Sequence, residues 1–210
     1  MIDLTTMTKV GKLHAHGGPN AIAVDPEKQV LWLTDFTGAR VVAVDIETGQ
    51  EVASVAVAKQ PDYLAIDPAR NRLYVSSRST TDLQVINTKS AKKLKPYRTA
   101  GSAALAVDSD NRLLYVSERE TGRIEVYDFE TKEWETATAC EVAITGMAVD
   151  GERQRLYTIG DRDWVEEADL VARVKDRHEL DVPARAIAID GDRGYVLDPE
   201  SATLRSFPLE

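Results

Sequence analysis

Cysteine is nearly absent: Cys140 stands alone in 210 residues. A single thiol forms no internal disulfide and supplies no cysteine-rich zinc site, and within an apolar run it reads as a small buried hydrophobe. Long hydrophobic runs are missing too. The stretches 41–44 and 52–58 are interrupted by Asp, Ser or Lys, and Met1 leads into Ile2-Asp3 rather than a basic and then apolar leader. The sequence therefore predicts neither a membrane-spanning helix nor a secretory signal, and a cytoplasmic location is expected. Positive charge is in deficit, 26 Lys and Arg against 35 Asp and Glu, for a net charge of −9. That balance opposes a polyanionic partner unless basic residues are segregated on one face, so nucleic acid and acidic membranes are poor defaults. No Gly-x-Ser-x-Gly elbow, P-loop or dinucleotide fingerprint occurs, which leaves nucleophilic hydrolysis and nucleotide chemistry without a signal.

What is present is repetition. Ala-Ile-Ala-Val-Asp25, Tyr-Leu-Ala-Ile-Asp67, Ala-Leu-Ala-Val-Asp108, Gly-Met-Ala-Val-Asp150 and Ala-Ile-Ala-Ile-Asp190 follow one another at intervals of 42, 41, 42 and 40 residues. The period suits four-stranded propeller blades, although helical-pair repeats share it. The residues within each period decide: Leu31-Trp-Leu-Thr34, Leu73-Tyr-Val-Ser76, Leu114-Tyr-Val-Ser117, Leu156-Tyr-Thr158 and Tyr195-Val-Leu197 are β-branched and aromatic runs bounded by turn residues. A third run such as Val41-Val-Ala-Val44, a hairpin such as Glu47-Thr-Gly-Gln50 and a fourth run complete one antiparallel blade. The predicted fold is all-β, a closed five-bladed β-propeller. The alanines at 23, 65, 106, 148 and 188 are expected where inner strands crowd the axis, and the five repeat aspartates are expected to bond turn amides.

Ile2-Asp3-Leu4-Thr5-Thr6 repeats Val44-Asp45-Ile46-Glu47-Thr48 at an offset of 42, while the fifth copy stops after its third strand. Residues 1–16 are accordingly expected to add the outer strand of the last blade, removing the free edges. The expected boundaries are 17–59, 60–100, 101–141 and 142–183 for blades one to four, and 184–210 for the inner three strands of blade five, within a single domain.

The Pro-Asn-Ala-Ile-Ala-Val-Asp-Pro, Leu-Tyr-Val-Ser and Val-Ile-Asn or Val-Tyr-Asp elements resemble the YVTN-type repeat of bacterial and archaeal β-propellers, across essentially the whole chain. The resemblance implies the fold, here with five repeats where seven are more usual. It spans surface-layer proteins, binding propellers and relatives of lactonases, lyases and quinoprotein-like enzymes, so activity has to be read from the site.

By analogy with other propellers, ligands are expected at the mouth of the central channel. Just past the second strand, Asp35, Ser77, Glu118, Gly160 and Asp198 occupy one aligned position, with Asp161 and Asp163 close behind. Asp35, Glu118, Asp161, Asp163 and Asp198 are the candidate ligand-binding carboxylates: such a ring would suit a hard cation such as Ca²⁺ or an acid/base pair, against the simpler role of ending strands. No cofactor and no metal ligand is assigned. The segment 161–169 reads as a lengthened loop with one helical turn from Asp163 to Glu166, carrying Trp164 beside the mouth to stack on a ligand or anchor a partner. His14, His16 and His178 read as ordinary surface or rim residues, and Lys89, Lys92, Lys93, Lys95 and Arg98 as a solvated outer hairpin. These features point first to a monomeric, non-enzymatic binding scaffold for a protein or a small polar ligand at the channel mouth. A small hydrolase or lyase with an acidic, cation-assisted site is the alternative, and a reconstructed propeller without a selected ligand is the third reading.

Overall fold

The computed structural model describes residues 1–13, 18–139, 143–160, 164–170, 175–180, 184–198 and 200–209. After a short hairpin of β1 (Ile2–Asp3) and β2 (Thr8–Lys9), the chain builds five antiparallel sheets in sequence order. The first holds β3 (Ile22–Asp25), β4 (Val30–Asp35), β5 (Arg40–Asp45) and β6 (Glu51–Ala56). The second holds β7 (Pro61–Asp67), β8 (Arg72–Ser77) and β9 (Asp82–Asn87), whose outer edge carries two short pieces, β10 (Lys92–Lys93) and β11 (Tyr97–Arg98). Pro96, which has no N–H to give the ladder, stands in the gap between them. The third comprises β12 (Ser102–Asp108), β13 (Leu113–Glu118), β14 (Arg123–Asp128) and β15 (Trp134–Ala139), and the fourth β16 (Ile144–Asp150), β17 (Arg155–Gly160), β18 (Trp164–Asp169) and β19 (Lys175–Glu179). The fifth contains β20 (Ala186–Asp190), β21 (Arg193–Asp198) and β22 (Thr203–Pro208). Sheets follow one another around a ring, inner strand against inner strand, as a five-bladed β-propeller.

Between sheets lies the core. In each second strand one large ring, Trp32, Tyr74, Tyr115, Tyr157 or Tyr195, is buried. The first four meet the following sheet: Trp32 with Leu73, Tyr74 with Leu114, Tyr115 with Leu156 and Tyr157 with Val196. Burying each ring contributes on the order of 3 kcal/mol. Opposite these rings, in strict register, stand the repeat alanines: Ala23 with Trp32, Ala65 with Tyr74, Ala106 with Tyr115, Ala148 with Tyr157 and Ala188 with Tyr195. Their small size makes room for a ring in the space between sheets, which is a more local reason than crowding at the axis.

The repeat aspartates act as anticipated in four of five blades. Asp25, Asp67, Asp108 and Asp150 are buried and accept the N–H of Lys28, Arg70, Asn111 and Arg153, at 2.9 to 3.2 Å. The same third residue ties one blade to the next: Arg70 Nη1 donates to Ser109 O, Asn111 Nδ2 to Gly151 O and Arg153 Nη1 to Gly191 O. Gly151 allows this approach, because a Cβ there would stand 2.6 Å from Asp108 Oδ2. Asp190 departs from the rule and is exposed. Its turn has only Gly191 and Asp192 before β21, so the residue three positions on, Arg193, is already its strand partner and has no turn amide to offer.

Two expectations are corrected. Residues 2–9 do not extend the fifth sheet; β1 pairs with β2, and β22 has β21 as its one partner among the described residues. Local turn chemistry captures the segment: Asp3 Oδ1 accepts the N–H of Thr5 and Thr6, and Met1 O accepts the N–H of Val10. The segment thus keeps the hairpin of its sequence counterpart, where Asp45 Oδ1 accepts the N–H of Thr48. Residues 164–169 form strand β18, not a loop with a helical turn. Val165 and Ala168 are buried, and Glu167 satisfies its charge on Arg155 and His178, so the acidic pair that reads as loop belongs to a sheet.

Candidate functional site

The inner strands of the second, third and fourth sheets carry an irregularity at the end where they begin. Pairing jumps from Pro61↔Ser77 to Leu64↔Val75, from Ser102↔Glu118 to Leu105↔Val116, and from Ile144↔Gly160 to Gly146↔Ile159. Such bulges re-aim side chains. In the second sheet the residues released are Asp62 and Tyr63, and Ser76 Oγ takes up the Tyr63 N–H at 3.2 Å. In the first, Thr34 Oγ1 accepts the N–H of Asn20 and Ala21. The hydroxyl closing each Tyr-Val-Ser or Trp-Leu-Thr run therefore satisfies backbone at the channel mouth, which explains a residue type that strand propensity leaves open.

Asp62 is the hub of what gathers there. It is 4% exposed and receives Arg78 Nε at 2.8 Å and Nη2 at 3.3 Å, Arg119 Nη1 at 3.2 Å and Asn20 Nδ2 at 3.1 Å. Arg119 also donates to Ser102 O, so one carboxylate binds the first three blades together. Arg78 lies 5.7 Å from the Phe36 ring centroid. Tyr63 packs against the core between the second and third sheets and against that between the third and fourth. Burial and the Asp62 charge push its phenol above its ordinary value, opposed by Arg119, Arg78 and, from the fifth blade, Arg185. Asp62 in turn raises the Arg78 guanidinium.

The aligned carboxylates are used differently. Asp35 accepts Gly38 N at 2.7 Å and Arg40 Nε at 2.9 Å. Burial raises the Asp35 pKa, but Arg40, Gly38 and Thr37 together hold it below the ordinary value. Glu118 is engaged by Thr121 Oγ1 and Arg123 Nη2. Asp198 receives Ser201 Oγ and the N–H of Glu200 and Ser201, and the Ser201 hydroxyl, with help from Arg205, keeps it low in spite of burial. Each of the three serves the turn of its own blade, and each has its own arginine. Among the described residues no group of three His, Cys, Asp or Glu side chains is placed to hold a metal ion. Trp164 heads β18 beneath the Arg177 guanidinium, 4.8 Å from its ring centroid. Asp161, Asp163, Cys140, His14 and His16 lie outside the described residues.

The mouth is thus electrostatically uneven. The acids of the aligned ring each answer to an arginine of their own blade, whereas Arg78 and Arg119, from two blades, share Asp62, and Arg185 acts on the neighbouring Tyr63. In a protein of net charge −9 this is a local surplus of positive charge. Sequence reading misses Asn20, Asp62, Tyr63 and Arg185 because none repeats, and Arg78 and Arg119 because the position they share, one past Ser77 and Glu118, is basic in only two of the five copies. Comparing the residue five places before each repeat aspartate would have shown the position diverging, as Asn20, Asp62, Ala103, Thr145 and Arg185.

Relatives agree with the architecture. The chain is similar to an uncharacterized protein, YncE, of Salmonella typhi and to its counterpart in Salmonella typhimurium, 29% identical over 102 residues, or 47% of this chain. That match spans only 28% of the relatives' length. Among solved structures it resembles a chain in a nidogen/laminin complex, with TM-score 0.81, 13% identity, and coverage of 91% of this chain and 76% of the other. It also resembles U3-55K, with TM-score 0.76, 13% identity and coverage of 93% and 62%, and Kuenenia stuttgartiensis hydrazine synthase, with TM-score 0.73, 16% identity and coverage of 96% and 69%. At such identities the likeness is one of fold. A family model described as lactonase, 7-bladed beta-propeller, matches residues 37–155, more than half of the chain. The described residues form five blade sheets, and by that match the chain belongs to the seven-bladed β-propeller lactonase family.

Proposed function

We propose that this chain is a binding module that takes a small anion, bearing a carboxylate or phosphate group, at the mouth of the propeller. The observation that carries the reading is the convergence of Arg78 and Arg119, from two blades, on a single buried carboxylate that Asn20 also reaches, with Arg185 close enough to act on the neighbouring Tyr63 phenol. Guanidinium groups already oriented by Asp62 need little reordering to meet a second acid, and planar two-point recognition suits carboxylate and phosphate oxygens. Side chains of Arg78 and Arg119 keep 52% and 35% of their surface open, so both retain donors for a guest.

The family description favours a second reading, in which the same guanidiniums polarise the carbonyl of a lactone and water opens the ring to a hydroxy acid. One pair of measurements separates them. Calorimetric titration with citrate and with inorganic phosphate at low ionic strength is expected to show saturable, salt-sensitive binding. The Arg78→Gln, Arg119→Gln double variant is expected to lose at least about tenfold in affinity, or ~1.4 kcal/mol. Absence of binding, or binding indifferent to the double variant, removes the anion site. Proton release from δ-gluconolactone above the uncatalysed rate, abolished in the same variant, would move the assignment from binding to hydrolysis.

A further inference from the structure

The junction of the second and third sheets is filled with aromatic rings. Tyr74 stacks on Tyr97 and Phe129 at 6.3 and 6.0 Å, Tyr127 meets Tyr97 at 4.6 Å and Trp134 at 5.0 Å, and the Arg70 guanidinium lies 4.6 Å from the Phe129 centroid. One junction further on, the backbone repeats but the rings do not. Leu114 pairs with Tyr127, whereas its counterpart Leu156 pairs with Ala168. Two residues later, Leu170 stands where the third sheet has Phe129, and on the outer strand Thr138, opposite Ile124, has the register that Tyr97 has opposite Leu83. The missing rings leave a cleft of about 220 Å³ against Tyr115 and Val126. That exceeds the roughly 150 Å³ of an apolar cavity known to admit benzene.

Charge around the cleft is one-sided. Asp128, Glu135 and Asp169 line it alongside the apolar residues. Asp128 is held by the N–H groups of Glu130 and Thr131, and Arg155 reaches Asp169 while also serving Glu167, so one cation faces several acids. Glu135 is exposed at the edge.

We propose that this cleft binds a small aromatic ammonium compound, its flat ring occupying the space that Tyr127, Phe129 and Tyr97 fill at the preceding junction, and its cation lying among Asp128, Glu135 and Asp169. Shape comes from the neighbouring junction, and charge from the three carboxylates. The site is separate from the channel mouth and does not depend on what binds there.

Tryptamine, indole and indole-3-acetate carry nearly the same ring with positive, zero and negative charge, and titrating each into the isotope-labelled full chain by NMR tests both halves of the proposal. Tryptamine is expected to bind at least about tenfold more tightly than indole-3-acetate, with indole between them. Ala168→Tyr, which rebuilds the missing ring from within, is expected to abolish binding of all three and raise the melting temperature. Leu170→Phe provides the same block with a smaller change if the first variant does not fold. Glu135→Gln is expected to narrow the gap between tryptamine and indole, while the Arg78→Gln, Arg119→Gln variant leaves tryptamine binding unchanged. No saturable binding by the wild type, equal affinity for the three probes, or binding that survives in the folded filling variants would each overturn the proposal.

Discussion

At the end of the ring where inner strands finish, Asp25, Asp67, Asp108 and Asp150 perform one task four times, each accepting an amide three residues on and each carried by a neighbour that reaches towards the adjoining blade or its own carboxylate. At the end where they begin, the aligned positions hold Asn20, Asp62, Ala103, Thr145 and Arg185, and no two do the same thing. Repetition marks what every blade needs in order to fold and pack. Divergence at an equivalent position marks what one molecule needs at one place, and here it sets a single acid between arginines of two blades.

The largest effect is expected from breaking the regular end. Asp67→Ala removes an acceptor of Arg70 N, Arg70 Nη1 and Ser109 Oγ and leaves those donors unmatched near a buried site. Stability should fall by about 2–3 kcal/mol, measured by urea denaturation at constant slope, with anion affinity at the mouth unchanged. Asp62→Asn at the divergent end should do the reverse. It deprives Arg78 and Arg119 of their internal counter-charge, so citrate affinity is expected to rise about threefold by calorimetry while stability drops by about 1 kcal/mol. If affinity falls instead, Asp62 is there to aim the guanidiniums rather than to compete for them. The smallest effect is that of pH. Asp35, Asp150 and Asp198 all lie below their ordinary value of 3.8. In Asp150 burial works against this, and the Arg153 N–H and guanidinium outweigh it. A depressed carboxyl favours the folded state above its unfolded value and loses that advantage as pH falls through the folded one. Melting temperature should therefore hold between about pH 5 and 7 and decline below about pH 4, less steeply in Asp150→Asn.

The same contrast explains what could be read in advance. Strand order, the buried ring of each second strand and the role of the repeat aspartates were legible because five copies spell them out. Asp35, Glu118 and Asp198 stood out for the same reason, and their regularity belongs to turns that arginines and backbone amides already satisfy. Asp62 was hidden because a bulge, not the period of the strand, turns it to the mouth, and Arg119 reaches it from 57 residues away. The pairing of residues 2–9 with themselves turned on a competition between a local Asp-Thr turn and a distant strand edge, and the local turn wins. Glu167 reads as loop because its partners, Arg155 and His178, stand on neighbouring strands of the same sheet.

The account is tested most directly by backbone NMR of the labelled protein during a citrate titration at low salt. Shifts confined to the amides of Asn20, Asp62, Tyr63, Ser102 and Arg119, saturating together, are the predicted result. Shifts centred on Ser109, Asn111, Gly151 and Arg153 at the regular end, or none at either end, would contradict it.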